Sequence, residues 1–113
     1  MDRKSTTNAK TLPTVLVVGA GAELVERCRH SAQLAKAFLE LADMSNAATM
    51  AARCRPMAIV LTEDLYAFDP EEFDALARDV RGKVVCVTDE HVPQLELDAR
   101  ILGAIAEIKR VRD

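Results

Sequence analysis

Four short apolar runs organise the hydrophobic pattern of this sequence, and polar or amphipathic stretches separate them. The first and third runs are continuously apolar instead of alternating. Such runs are typical of strands in a parallel sheet that is covered on both faces. We therefore predict four β-strands, over residues 14–18, 38–44, 57–62 and 83–88.

The stretches that follow the first two strands carry apolar residues at helical spacing. Residues 22–37 repeat apolar side chains every three to four positions, which predicts an amphipathic helix. A second helix is expected to run to Arg55, because Ser45 or Asn46 can cap its start and Pro56 follows its end. Each of these two helices would connect one strand to the next.

The clearest start of a helix in the chain lies at Asp69-Pro70. Asp69 can cap the helix, Pro70 suits its first position, and Glu72 can complete a capping box. Gly82 is expected to end this helix. The preceding residues, 63–68, are predicted to form a loop.

The C-terminal part of the sequence has two interpretations. Residues 93–112 can form one long helix, or a shorter helix can end at Gly103 and residues 104–109 can form a fifth strand. Apolar periodicity favours the single helix, whereas a glycine in its middle argues mildly against it. The core stripe of the single helix would be Leu97, Ile101, Ile105, Ile108 and Val111.

Strands that alternate with helices predict an α/β fold with three layers, α-β-α, around a parallel sheet of four or five strands. With right-handed crossovers, the expected strand order is 2-1-3-4, or 2-1-3-4-5, as in flavodoxin-like folds. We assign residues 1–12 to a flexible polar leader and residues 13–113 to a single domain.

Composition narrows the class of protein. The chain has 113 residues, of which 50% are hydrophobic and 29% charged, so it can form one soluble core. A net charge of −3 provides no basic face for nucleic acid, and no apolar run is long enough to cross a membrane. Three widely spaced cysteines do not suggest a disulfide framework, and no secretory signal precedes the domain. The cytoplasm is the expected compartment.

The order of segments resembles a bacterial response-regulator receiver domain over about residues 14–90. VLVV resembles the first receiver strand, and KVVCVT resembles the fourth strand with its terminal hydroxyl residue. FLELADMSNAATMAARCRPMAIVLT resembles the run from the second strand through the third. The resemblance implies a phosphorylation site with an acidic Mg²⁺-binding pair, a phosphoacceptor Asp, a Thr or Ser, and a Lys.

This sequence departs from the receiver site at most of those positions. Gly19 and Ala20 replace the acidic pair, and Thr62 replaces the phosphoacceptor. Thr88 matches the hydroxyl residue, and Lys109 matches the lysine if a fifth strand forms. The resemblance therefore implies a pseudo-receiver, with no catalytic residue, metal or cofactor. Its expected role is phosphorylation-independent protein–protein interaction in bacterial signalling or regulation.

Two sets of apolar residues are candidates for binding a protein partner. Leu65, Tyr66 and Phe68 lie in the predicted loop, where aromatic side chains can anchor an interface. Alternatively, Phe68 packs on Phe73 as a hydrophobic staple. If the last strand is absent, an open sheet edge invites a second copy of the chain. The C-terminal residues expected to form that homodimer contact, or else to cover the sheet, are Ile101, Ile105 and Ile108.

A nucleotide-binding module is the alternative function. The turn Gly19-Ala20-Gly21 joins a strand to a helix, as in dinucleotide-binding domains, but Leu24 occupies the position of the third small residue. The simpler interpretation is that glycine permits a tight turn.

Acidic residues at the expected strand ends could hold a cation, although helix starts and solvent explain them better. His30 and His91 have no neighbouring nucleophile motif and receive no catalytic role. The acidic residues are Asp43, Glu63, Asp64, Asp89 and Glu90.

Overall fold

The computed structural model describes residues 12–112, so the leader predicted for residues 1–12 lies outside them except for Leu12. The strands are β1 (Thr14–Val18), β2 (Phe38–Ala42), β3 (Ala58–Thr62) and β4 (Lys83–Val87). The helices are α1 (Ala22–Ala35), α2 (Ala47–Cys54), α3 (Glu63–Phe68), α4 (Pro70–Val80) and α5 (Gln94–Arg112).

The four strands form one parallel sheet in the order β2-β1-β3-β4. This arrangement confirms the predicted α/β class and the flavodoxin-like strand order. β1 and β3 lie at the centre, and their side chains are almost completely buried because helices cover both faces. β2 and β4 are the two edges of the sheet.

Alternating side chains of the strands divide the core into two layers. On one face, Val15 and Val17 of β1 pack with the buried sides of α1 and α5. On the other face, Leu16 and Val18 pack with α2 and α4, where Phe73 is the largest buried side chain. These four helices, α1, α2, α4 and α5, therefore stabilise the sheet through their apolar sides.

A single helix follows β4, so the structure has no fifth strand within residues 12–112. The helical alternative is correct, and Gly103 lies on the exposed side of α5 with nothing within 4 Å of a Cβ built there. Lys109 consequently lies in the last turns of α5 and not at the end of a strand. The conditional match of Lys109 to the receiver lysine is wrong, because the apolar period of the segment is helical.

The three C-terminal isoleucines also need a correction as partner-binding candidates. Ile101, Ile105 and Ile108 are 0%, 4% and 7% exposed, and they pack into the core against β3 and β4. Their alternative role, covering the sheet, is the one that the structure bears out. A buried stripe of this kind offers no surface to a second copy of the chain.

The segment after β3 is helical and not the predicted loop. α3 begins at Glu63, and the Thr62 hydroxyl caps it by accepting a hydrogen bond from the Leu65 N–H at 3.4 Å. α4 starts as predicted, with the Asp69 carboxylate accepting from the Glu72 N–H at 3.3 Å. The Asp69 N–H donates to the Tyr66 carbonyl, which belongs to the preceding helix. The two helices thus follow each other directly.

Candidate functional site

The carboxyl edge of the sheet collects the positions that the sequence resemblance matched to a receiver site. Gly19 follows β1 with a φ of 64°, a left-handed conformation that favours glycine. A Cβ on Gly19 would lie 2.8 Å from Cδ2 of Leu65, so the glycine also makes room for α3. Gly19 thus has a structural role in the turn.

The two threonines that end β3 and follow β4 have different surroundings. Thr62 ends β3, and its hydroxyl oxygen serves as the N-cap of α3. Thr88 follows β4 immediately and is exposed. A hydroxyl is a poor nucleophile unless a base removes its proton. Neither threonine has a hydrogen-bonded histidine or carboxylate among residues 12–112.

Lys109 lies far from these residues, at the amino edge of the sheet. α5 runs back along the sheet, and Arg112 near its end donates hydrogen bonds to the carbonyls of Pro56 and Val80. These carbonyls precede β3 and β4, so the end of α5 lies at the opposite edge from Thr62 and Thr88. The structure brings together Gly19, Ala20, Thr62 and Thr88 at the carboxyl edge, but not Lys109.

Glu90 occupies the start of α1, where a dinucleotide phosphate would bind in the alternative function. Its carboxylate accepts hydrogen bonds from the Gly21 N–H at 2.8 Å and the Leu24 N–H at 3.3 Å. A carboxylate at a helix N-terminus satisfies free N–H groups and interacts favourably with the helix dipole. A phosphate would have to displace Glu90 from these amides. Sequence reasoning placed Glu90 among the acidic strand ends but missed this contact.

Further contacts hold the loop before α5 against α1. The Arg27 guanidinium donates to the Glu90 carbonyl at 3.3 Å, and His91 Nδ1 lies 3.1 Å from Glu23 Oε1. The Asp89 carboxylate accepts from the N–H of His91 at 2.8 Å, which stabilises the turn itself. The loop is therefore built to close the start of α1.

The other acids at the carboxyl edge also serve local structure. Asp43 Oδ1 accepts hydrogen bonds from the Ser45 hydroxyl at 2.7 Å and from the N–H groups of Ser45 and Asn46. These bonds, that from the Ser45 hydroxyl foremost, lower the pKa of Asp43. Glu63 and Asp64 lie in the first turn of α3, where negative charge is favourable. Within residues 12–112 no three His, Cys, Asp or Glu side chains are grouped so as to hold a metal ion.

The candidate partner-binding residues of α3 differ in how far they are exposed. Leu65 is half-buried against the core, and the Tyr66 hydroxyl donates to the Asp74 carboxylate at 2.8 Å. The Tyr66 ring packs 6.4 Å from that of Phe73, centroid to centroid. Phe68, by contrast, is 81% exposed, so the staple with Phe73 is not formed as predicted.

Phe68 stands at the rim of a groove of about 210 Å³ between α2 and α4. Met44 on the opposite side is 44% exposed, and Asp69 and Glu72 add negative charge to the rim. The remaining lining residues are Ala47, Ala48, Phe73 and Leu76. An exposed aromatic beside a groove of mixed polar and apolar lining, with acidic residues at its rim, is a suitable anchor point for another protein.

A buried polar cluster joins α1 to α5, and sequence reasoning missed it. Asp98 is 6% exposed, and its Oδ1 accepts from the Ser31 hydroxyl at 2.6 Å and from Gln94 Nε2 at 2.9 Å. His30 Nδ1 lies 3.3 Å from the same oxygen. Burial acts to raise the pKa of Asp98, but these hydrogen bonds outweigh it and the pKa is lowered.

This cluster does not form a nucleophile, because the Ser31 hydroxyl donates directly to the carboxylate of Asp98 while the imidazole of His30 contacts only that carboxylate. A signal was present in the sequence. Ser31 and Asp98 each fall on the apolar stripe of a helix, at positions adjacent to Ala32 and Leu97. Polar residues at core positions need hydrogen-bonding partners, so each predicts the other.

The cysteines do not form a reactive site. Cys28 is completely buried, and burial, with a contribution from the Glu90 carboxylate, raises its pKa to about 12. Burial also raises the pKa of Cys54 and of Cys86. The thiolate is the reactive form, so these thiols are poor nucleophiles at neutral pH.

Comparisons of this chain with protein-family models, with curated proteins and with solved structures found no significant match. No helix within residues 12–112 is both long enough and apolar enough to cross a bilayer.

Proposed function

We propose that the chain is a pseudo-receiver that acts as a phosphorylation-independent protein–protein interaction module in the bacterial cytoplasm, in signalling or regulation. The parallel sheet of order β2-β1-β3-β4 supports the receiver-like part of this proposal. Gly19, Ala20 and Thr62 support its non-catalytic part, because none of them supplies a carboxylate. A phosphoacceptor and its metal ligands are then missing together.

The observation that carries the interaction role is the 81% exposure of Phe68 beside the groove between α2 and α4. A large aromatic side chain gains most from burial at an interface, and the groove provides apolar surface around it. Asp69 and Glu72 at the rim favour a partner segment with basic residues beside its apolar anchor. The net charge of −3 also favours such a protein over nucleic acid.

The non-catalytic part is tested by incubating the full chain with acetyl phosphate and Mg²⁺ and measuring its intact mass. An active receiver domain serves as the positive control in the same mixture. We expect the mass of this chain to stay unchanged while the control gains a phosphoryl group. A phosphoryl adduct on any carboxylate of this chain would show that the proposal is wrong.

The interaction role is tested by placing a photo-crosslinking amino acid at Phe68 or at Leu95 in cells that produce the protein naturally. Leu95 is a matched control, because it is 82% exposed but lies on α5, away from the groove. We expect one adduct of defined mass from position 68 and none from position 95. Equal crosslinking from both positions, or from neither, would contradict the proposed binding surface.

The nucleotide-binding alternative finds less support, because Glu90 already accepts the hydrogen bonds of Gly21 and Leu24. The isoleucine stripe on α5 does not support the expected homodimer, because its side chains are buried. The remaining support for a homodimer is that the structure leaves β2 and β4 as sheet edges. Sedimentation of the full chain measures its mass in solution and decides between monomer and dimer.

A further inference from the structure

A second groove, of about 540 Å³, follows the outer edge of β4 between α4 and α5. Phe68 does not line this groove. Its floor is β4, where Val84 and Cys86 are half-buried. The other lining residues are Tyr66, Asp74, Ala77, Arg78, Gly82, Lys83 and Arg100.

The backbone of β4 leaves hydrogen-bonding groups directed into this groove. The Lys83 N–H donates to the Met57 carbonyl, so the backbone groups of Lys83 face β3. Because these groups alternate in direction along a strand, those of Val84 and Cys86 face the groove. β4 is an edge strand within residues 12–112, so no further strand there takes up these groups. This is the arrangement to which an extended segment can add as a neighbouring strand.

Arg100 of α5 confirms the direction of these groups and shows how the edge is closed in the free chain. Its guanidinium donates a hydrogen bond to the Cys86 carbonyl across the groove. A long basic side chain of this kind protects an exposed edge from uncontrolled pairing. It is also on the exposed side of its helix and can turn from the carbonyl to a carboxylate of a bound segment.

The charge of the groove favours an acidic occupant. Within residues 12–112, neither Arg78 nor Arg100 has a carboxylate oxygen within 4.0 Å. Asp74, the acid in the lining, already accepts hydrogen bonds from the Tyr66 hydroxyl. Lys83 pairs with Glu107 at 2.9 Å, so the two arginines outnumber Asp74, the remaining charged acid of the lining. The groove is thus locally cationic on a chain whose net charge is −3.

We propose that this groove binds an extended acidic segment of a partner protein, which adds to β4 as a fifth strand. Its backbone would bond to Val84 and Cys86, while its carboxylates would contact Arg78 and Arg100. The surface differs from the groove beside Phe68 in both charge and geometry. The inference therefore does not rest on that groove being a binding site.

The test selects peptides from a phage-displayed library of random short peptides on the full chain. We expect the enriched peptides to be rich in Asp or Glu and to contain alternating apolar residues. Hydrogen exchange with one enriched peptide bound should slow at the amides of Val84 and Cys86, because these N–H groups become paired. The double charge reversal of Arg78→Glu and Arg100→Glu should weaken peptide binding by about tenfold or more.

Two control variants separate this surface from the rest of the chain. A matched double reversal, Lys109→Glu with Arg110→Glu, changes two exposed cations of α5 outside the groove and should leave peptide binding unchanged. Phe68→Ala should also leave it unchanged, so failure of one surface is distinguishable from failure of the other. Circular dichroism of each variant establishes that it is folded.

Several outcomes would overturn the inference. One is that the selection yields no acidic peptides. A second is that the selected peptides bind the double variant, Arg78→Glu with Arg100→Glu, as tightly as the wild type. Another is protection of amides elsewhere while those of Val84 and Cys86 exchange as in the free chain. A chain that sediments as a dimer with both amides already protected would assign the groove to a second copy.

Discussion

The two ends of the sheet are closed by charged side chains of opposite sign, both from the segment around α5. At the carboxyl edge, the Glu90 carboxylate accepts hydrogen bonds from N–H groups at the start of α1. At the amino edge, the Arg112 guanidinium donates to carbonyls at the ends of α2 and α4. Each charge is the one that the helix dipole favours at that position.

The comparison explains why the carboxyl edge is a poor binding site in this chain. Helix starts at that edge commonly bind ligands in α/β proteins, because their free N–H groups attract anions. Here the chain supplies its own anion, and Asp43 and Asp89 are engaged in turns. The grooves beside Phe68 and along β4, at the sides of the sheet, are open by contrast.

Removing the cation at the amino edge should have the largest effect. Arg112→Met deletes hydrogen bonds to the carbonyls of Arg55, Pro56, Val80 and Arg81. We expect the free energy of unfolding to fall by about 3 kcal/mol, since hydrogen bonds to a charged donor are strong and the carbonyls lose their partner. Urea denaturation measures the change. Arg110→Met, an exposed neighbour, should cost less than about 0.5 kcal/mol.

The buried charge between the two ends should have an intermediate effect that depends on pH. Asp98→Ala removes the buried carboxylate that accepts from Ser31 and Gln94 and leaves them only the Arg27 carbonyl, so we expect a loss of about 2 kcal/mol at neutral pH. Because folding lowers the pKa of Asp98 from 3.8, its contribution is complete above that pH and is lost as the pH falls below it. The difference between wild type and variant, measured by urea denaturation, should shrink from pH 6 to pH 3. A constant difference would contradict this assignment.

Removing the anion at the carboxyl edge should cost less and should create a new property. Glu90→Ala frees the N–H groups of Gly21 and Leu24, and we expect a loss of about 1 kcal/mol, as for an N-cap. Millimolar phosphate should then raise the melting temperature of the variant but not that of the wild type. Stabilisation of the wild type by phosphate would mean that Glu90 does not close this site.

The smallest effect is a stabilising one within α5, the helix that connects the two ends. Gly103→Ala should raise the free energy of unfolding by about 0.5–1 kcal/mol, because alanine favours the helix and nothing lies within 4 Å of its Cβ. Gly82→Ala is the contrasting variant, since a Cβ there would overlap the Pro56 carbonyl oxygen. Thermal denaturation should move in opposite directions for the two variants.

The sequence alone was sufficient to predict the four strands, their order in the sheet and the start of α4. Apolar runs located all four strands to within two residues of their observed ends, and Asp69-Pro70 located the start of α4. It was not sufficient for residues 63–68, where Thr62 caps a helix of six residues that is too short to show a period. It also did not decide between one helix and a helix followed by a strand for the C-terminal segment. The structure has one helix, in which the side chains of Ile101 and Ile105 are buried.

Which polar groups each buried or helix-capping carboxylate meets was decided only by the tertiary structure. Glu90 and Gly21 are 69 positions apart in the chain, and Ser31 and Asp98 are 67 apart. Local propensity and periodicity act over a few residues, so they set helices and strands without specifying such pairs. The packing of α5 against α1 brings these groups into contact, and burial then requires each polar group to find a partner. For this reason the four strands and their order could be predicted from the sequence, whereas the carboxylate that closes the start of α1 could not.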